Sequence, residues 1–127
     1  MTGAYSPYQP AARPGGRPES KPAYRVLVHR KSAQLWEQLP QRVGLESAQQ
    51  FYDHVANTPG EPPKVNSSSL LRGKAGKPKF EGASRTVHYE ISGAGRINYQ
   101  FANAYTGGQH GDPHPVVFIL TIDLSSH

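Results

Sequence analysis

In "RTVHYEISGAGRINYQF", residues 85–101, two runs of alternating apolar and polar residues flank a Gly-Ala-Gly turn. Strands place successive side chains on opposite faces, so the odd-numbered apolar residues of both runs share one face. The even-numbered residues of the two runs face the other way and are Thr86, His88, Glu90, Arg96, Asn98 and Gln100. We therefore predict a β-hairpin with one apolar face on the core and one polar face that carries acidic, basic and imidazole side chains.

The segment before this hairpin predicts one strand and two helices. "YRVLVHR" (24–30) alternates β-branched and polar residues as a strand does. Ser32 is a candidate N-cap for a helix over "AQLWEQL" (33–39), which Pro40 is expected to end. "VGLESAQQFYDHVA" (43–56) repeats apolar residues near the helical period and predicts a second helix. The residues expected to face the core are Trp36, Leu39, Leu45, Ala48, Phe51, Tyr52, Val55 and Ala56.

A last strand is predicted over "VVFILTIDLSSH" (116–127). Simple alternation sends Val116, Phe118, Leu120, Ile122 and Leu124 to the core, and Thr121, Asp123, Ser125 and His127 outward. The order strand, two helices, three strands predicts an α+β fold. We expect its two N-terminal helices to pack on one face of a small antiparallel-dominated sheet, with the element order β-α-α-β-β-β.

Composition divides the chain near residue 23. Residues 1–23 are rich in proline and glycine and have no apolar period, so we predict a disordered tail there and a single folded domain over 24–127. The 127 residues include no cysteine, which fits a reducing compartment, and they contain neither a long apolar span nor a secretory signal. We expect a cytoplasmic protein without membrane contact. The net charge of +5 suits a polyanionic partner.

Residues 58–83 form a long connection rich in lysine, proline, glycine and serine. Connections of this length are uncommon in compact domains unless they serve a function, so this segment is a candidate ligand surface. The histidines of "HGDPH" (110–114) have too few neighbouring ligands for a metal site, and no nucleotide or nucleophile motif is present. We expect neither a metal nor a cofactor.

The order of these elements resembles the RelE/ParE superfamily of bacterial toxins over residues 24–127. "KSAQLWEQLP" (31–40) looks like the first helix of that family, and "SSSLLRGK" (67–74) looks like its Leu-Arg-Gly loop. "RINYQF" (96–101) and "HPVVFILTID" (114–123) look like its last two strands. The chain departs from the family in the insertion "ANAYTGGQHGDPHP" (102–115) and in ending at His127.

The resemblance implies a toxin of a type II toxin-antitoxin system, with an acidic antitoxin, mRNA and the ribosome as partners. It implies metal-independent cleavage of mRNA through attack by the 2′-hydroxyl group, for which a base, a phosphate-binding cation and an acid are needed. Arg96 matches the family's phosphate-binding arginine, Glu90 is the candidate base and His127 the candidate acid, with His88 as an alternative for either role. The residues expected to contact RNA are Arg72, Lys74, Lys77, Lys79, Arg85 and Asn98.

Two other functions are compatible with the same fold, because a fold does not determine an activity. A ParE-like inhibitor of gyrase would bind its target without nuclease chemistry. A non-catalytic RNA-binding or interaction domain would retain the fold alone. The mixed histidine, glutamate and arginine face favours the nuclease, since a pure binding protein needs no acid-base groups there.

Overall fold

Six strands form one mixed sheet in a computed structural model that describes residues 7–16, 22–61, 67–71, 73–79, 83–91, 95–105 and 114–124. The strands are β1 (Tyr8–Pro10), β2 (Arg25–His29), β3 (Ser67–Leu70), β4 (Val87–Glu90), β5 (Arg96–Tyr105) and β6 (His114–Asp123). Their order across the sheet is β1-β2-β6-β5-β4-β3, and all neighbours are antiparallel except the parallel pair β2 and β6. The predicted α+β class and antiparallel-dominated sheet are confirmed, but β1 and β3 were not predicted.

Two helices, α1 (Ala33–Val43) and α2 (Leu45–Asn57), connect β2 to the antiparallel part of the sheet. A short 3-10 turn (Arg30–Ser32) precedes α1, and a one-turn helix, α3 (Gly73–Gly76), follows β3. Pro40 lies inside α1 and does not end it, so that prediction was wrong. The helix ends instead at Gly44, whose φ of +97° favours glycine and breaks the helical path into α2.

The main core lies between these two helices and one face of the sheet. The Phe51 ring is fully buried and meets the rings of Trp36, Tyr89 and Tyr99 at centroid distances of 6.1, 4.8 and 6.0 Å. The core-facing residues predicted for the helices are confirmed except Leu45, which is 46% exposed. The two helical faces were therefore predicted correctly, because the apolar period alone determines them.

The last strand does not alternate regularly, and its predicted core face was wrong over its first half. Asn98 pairs with Thr121 while Tyr99 pairs with Ile119, so Leu120 is an extra residue in β6. Such a bulge reverses the direction of the side chains on one side of it. Val117 and Ile119 consequently pack with the helices before the bulge, whereas Ile122 and Leu124 do so after it.

The opposite face of the sheet, which we call the open face, bears the residues that the bulge redirects. Val116 and Phe118, which were expected in the main core, form a second small cluster there with Leu27, and Leu120 packs against them. The open face also carries His88, Glu90, Arg96, Asn98 and Gln100, since the residues alternating with them belong to the main core. One end of the open face is thus apolar and the other end polar.

Residues 7–16 are folded onto the domain, in contrast to the disordered tail expected over 1–23. Strand β1 pairs with the edge of β2, and the Ala11 amide donates to the carbonyl oxygen of Val26 at 3.0 Å. The guanidinium of Arg13 donates twice to the Asp53 carboxylate, at 2.9 and 3.1 Å.

Side chains of both helices complete the docking of this segment. The Trp36 indole donates to the carbonyl oxygen of Ala12 at 3.0 Å, and the Gln49 amide donates to that of Pro14 at 2.9 Å. The donors Trp36 and Gln49 are far along the chain from residues 7–16, so the composition of residues 1–23 gives no sign of these hydrogen bonds. The prediction that residues 24–127 form the folded domain therefore omits a segment that the structure places on it.

Deleting residues 1–16 is expected to lower the free energy of unfolding by about 2 kcal/mol, because it removes several partly buried hydrogen bonds and exposes the edge of β2. For a chain of this size this corresponds to a melting midpoint lower by roughly 8 °C. Thermal unfolding followed by circular dichroism measures the change. Deletion of residues 1–6 alone is the control, since it leaves the described contacts of 7–16 in place. Equal melting of both truncations would contradict the docking.

Candidate functional site

A hydrogen-bonded histidine and asparagine lie at the polar end of the open face. His88 of β4 and Asn98 of β5 are partners in the strand register, and their side chains meet with Nδ1 2.7 Å from Oδ1. An amide oxygen can only accept a hydrogen bond, so Nδ1 carries the proton in this pair. In the neutral imidazole, Nε2 is then the nitrogen with a lone pair, and it can accept a proton. This is the geometry of an oriented general base.

An ion pair lies one step further along the same two strands. Glu90 and Arg96 are register partners, and the Arg96 Nε is 3.9 Å from the Glu90 Oε1. The two side chains are 48% and 30% exposed, respectively, so the pair itself contributes well under about 1 kcal/mol to stability. Asp123 of β6 is the register partner of Arg96 on its other side. The Arg96 side chain is partly exposed, its Nη1 donates to the carbonyl oxygen of Gly95 at 3.0 Å, and its two register partners are acidic residues.

The predicted site residues of the hairpin therefore do come together. Residues two apart on a strand are separated by about 7 Å. The His88–Asn98 pair and the Glu90–Arg96 pair, which form two adjacent rows across the strands, can therefore contact one small ligand. Asp123 was expected to point outward but was not assigned to the site. The strand register alone, which depends on the bulge in β6, brings it beside Arg96.

A short basic segment, residues 73–79, borders these rows. Lys74, Lys77 and Lys79 are all exposed. The segment is held by Gln100, whose side chain is fully buried. The Gln100 amide donates to the carbonyl oxygen of Lys77 and to the Thr86 hydroxyl, each at 2.9 Å, while its oxygen accepts from the Lys79 backbone amide at 2.9 Å.

Gln100 therefore has a structural role that its place in the polar pattern did not reveal. It is a buried clamp, with every polar atom of its amide paired, rather than an exposed member of the polar face. Nothing in the local sequence separates it from Asn98, because both are amides at even-numbered positions of the same strand. The lysines are thus positioned by a fixed backbone.

Arg85 also holds this region in place. Its Nε and Nη2 donate to the carbonyl oxygen of Leu71 at 3.1 and 3.0 Å, and Nη2 donates to that of Gly73 at 3.1 Å. These bonds tie the end of β3 to the start of β4. An RNA contact by Arg85 stays a prediction, and its observed partners are backbone carbonyl groups. His127 and Arg72, the candidate acid and a candidate RNA contact, lie outside the described residues.

Comparison with known proteins found no matching family model, no matching curated protein and no matching solved structure. Within the described ranges, no three histidine, aspartate or glutamate residues are grouped closely enough to hold a metal ion. The helices in the same ranges are too short and too polar to cross a membrane. The arrangement of His88, Glu90, Arg96 and Asn98 is thus the main basis for a functional proposal.

Proposed function

We propose that this protein is a metal-independent endoribonuclease of the RelE/ParE type, acting as the toxin of a type II toxin-antitoxin system. The observation that carries the proposal is the oriented His88–Asn98 pair beside the partly exposed Arg96 side chain on the open face. A base and a cation for phosphate on neighbouring rows are two of the three groups that RNA cleavage needs. The exposed lysines of residues 73–79 add cations for the RNA backbone.

The reaction proceeds by attack of the 2′-oxygen on the adjacent phosphorus. His88 Nε2 takes the proton of the 2′-hydroxyl, and the new P–O2′ bond forms as the P–O5′ bond breaks. Arg96 stabilises the negative charge that builds up on the phosphoryl oxygens. The leaving 5′-oxygen takes a proton from the acid, the role that the family resemblance gives to His127. The products are a 2′,3′-cyclic phosphate and a 5′-hydroxyl.

The observed contacts favour His88 over Glu90 as the base. Asn98 holds the His88 ring with its proton on Nδ1, whereas the Glu90 carboxylate lies beside the cation that is needed for phosphate. Glu90 then serves to position Arg96. His88 thus takes the role of base that the resemblance first gave to Glu90. The site still consists of the histidine, glutamate and arginine residues that the resemblance implies.

The biological setting is part of the same proposal. The helix pair between β2 and the antiparallel strands β4, β5 and β6 supports this proposal, because the RelE/ParE resemblance implies that element order; β1 and β3 are not part of the expected order. The net charge of +5 suits an acidic antitoxin and the ribosome, and mRNA on the ribosome is the proposed substrate. A cytoplasmic location follows from these partners.

Replacing His88 by glutamine is expected to reduce RNA cleavage by about 10²-fold or more, since general base catalysis is removed while a polar side chain remains. The measurement is induction of the protein in cells, followed by mapping of new mRNA 5′ ends and analysis of their end groups. His54→Gln is the control, because His54 lies on α2 and contacts Tyr89 of the main core, on the opposite side of the sheet from the open face; the melting midpoints of both variants are compared.

The end groups and the growth of the cells distinguish the alternatives. New ends with 5′-hydroxyl groups support the nuclease. Growth arrest with altered DNA supercoiling and no new mRNA ends would instead support a ParE-like gyrase inhibitor. Binding of RNA with neither cleavage nor toxicity would identify a non-catalytic domain. The half-exposed Glu90–Arg96 ion pair is the observation that best fits this last alternative, since such a pair can exist without chemistry.

A further inference from the structure

Aromatic rings cluster at the apolar end of the open face, away from the proposed cleavage site. Phe118 of β6 is fully buried and forms the floor of the cluster. Tyr8 of β1 and Tyr105 of β5 meet the Phe118 ring at centroid distances of 5.2 and 4.9 Å, and His29 meets Tyr8 at 5.0 Å. All three contacts are edge-to-face, with interplanar angles of 73°, 77° and 81°. Tyr105 also meets the His114 ring edge-to-face, with centroids 6.3 Å apart and an interplanar angle of 85°.

Tyr8 and Tyr105 are partly exposed, and both rings contact the Phe118 ring. The pKa of Tyr8 is raised by burial and, to a smaller extent, by the neighbouring Tyr105. The two tyrosines come from distant parts of the chain, and docking of residues 7–16 brings Tyr8 into register with His29. The cluster is therefore built by the same segment that was expected to be disordered.

Basic residues lie near His29, the imidazole of this cluster. Burial lowers the pKa of His29, and the nearby charges of Lys31, Arg30 and Lys79 lower it further. Lys31 and Arg30 follow β2 directly, and the Lys79 backbone amide donates to Gln100, the register partner of Phe118. Aromatic rings set among lysine and arginine side chains are characteristic of surfaces that bind single-stranded nucleic acid.

The aromatic cluster and the cleavage site are parts of one continuous face. Gln100 and Phe118 are register partners, and Gln100 lies four residues along β5 from Arg96. That separation corresponds to about 13 Å of extended strand, which a short oligonucleotide can span.

We propose that Tyr8 and Tyr105 form a stacking platform for a base of single-stranded RNA, with Lys79 and Lys31 contacting the neighbouring phosphates. This inference rests on RNA being the ligand, as in the proposed function, and it names the substrate class as unpaired RNA. The platform would hold the strand in a fixed register relative to Arg96. It would bind without reading a particular base, because every base offers a flat face.

The test uses a fluorescent hexanucleotide of 2′-O-methyl uridine, which has no free 2′-hydroxyl and cannot be cleaved. Its binding to the full chain is compared with that of the same backbone carrying abasic residues. We expect the base-containing probe to bind at least about fivefold more tightly, and Tyr105→Leu and Tyr8→Leu to remove that difference. Tyr105→Phe is the matched control, because it retains the ring and should bind like wild type.

A second readout concerns the phosphate contacts. Lys79→Ala should weaken both probes equally and reduce the salt dependence of binding by about one phosphate contact. Equal affinity of wild type for the two probes, no binding by wild type, or unchanged binding by both leucine variants would overturn the inference. The inference would also be overturned if wild type formed dimers in the absence of RNA and Tyr105→Leu dissociated them. The rings would then belong to an interface between two copies of the chain.

Because the probe cannot be cleaved, this result is separate from the nuclease test. If wild type binds the probe through its tyrosines but generates no new mRNA ends in cells, the stacking platform is supported and the nuclease proposal is contradicted. If wild type cleaves mRNA and the Tyr8→Leu and Tyr105→Leu variants bind the probe as tightly as wild type, the nuclease proposal stands and the stacking platform is ruled out. Melting midpoints of each variant show whether a loss of binding reflects unfolding.

Discussion

Arg96→Ala is expected to reduce the rate of RNA cleavage by about 10²- to 10³-fold, the usual effect of removing one donor that stabilises an oxyanion. The Arg96 side chain is 30% exposed on the open face, and its neighbours Glu90 and Asp123 cannot supply positive charge in its place. The measurement is the rate at which new mRNA ends appear after induction, normalised to the amount of folded protein. Folding should be unaffected, since the side chain lies outside both apolar clusters.

Arg42→Ala is the matched control for this variant. Arg42 is an exposed arginine on α1, on the other side of the sheet from the proposed site, so its loss changes the net charge equally. Cleavage that falls to the same extent in both variants would indicate a general effect of charge on RNA binding. Cleavage by Arg96→Ala at the wild-type rate would rule out the proposed role of Arg96.

Phe51→Ala is expected to lower the free energy of unfolding by about 3–5 kcal/mol, because it leaves a cavity between α2 and the sheet that the core cannot refill. The ring is fully buried and contacts three other aromatic rings, those of Trp36, Tyr89 and Tyr99. Equilibrium denaturation in urea, with the midpoint and slope both fitted, measures the change.

Leu45→Ala provides the comparison on the same helix. Leu45 is 46% exposed, so its truncation should change the free energy of unfolding by less than about 1 kcal/mol. If Phe51→Ala were no less stable than Leu45→Ala, the packing of α2 described above would be wrong. The pair of variants thus tests the orientation of α2 as well as the energetic importance of one side chain.

Local periodicity predicted the parts of the fold whose environment is uniform along the element. The buried face of α2 follows from its 3.6-residue repeat, and the two faces of the β4–β5 hairpin follow from strict alternation. His88, Glu90, Arg96 and Asn98 were placed together by this alternation alone, and the strand register places them in two adjacent rows. Their common location therefore required no knowledge of distant residues.

The extra residue Leu120 marks where local pattern ceased to be sufficient. "VVFIL" (116–120) is apolar at every position, so alternation cannot tell which residues face the helices. The bulge at Leu120 determines which of these residues face the helices, and the position of the bulge depends on how β6 pairs with β5. Phe118 consequently became the floor of the aromatic cluster on the open face instead of a core residue beneath the helices.

Side-chain periodicity was enough to predict the α+β class, the helical faces and the polar composition of the hairpin, because each depends on side chains that repeat within one element. The docking of residues 7–16, the burial of Gln100 and the neighbours of Tyr8 became visible only in the folded molecule. Each of these depends on partners supplied from distant positions: the edge of β2, the backbone of residues 77–79 and the ring of Phe118. Composition cannot report such partners, since they become neighbours only when the sheet assembles.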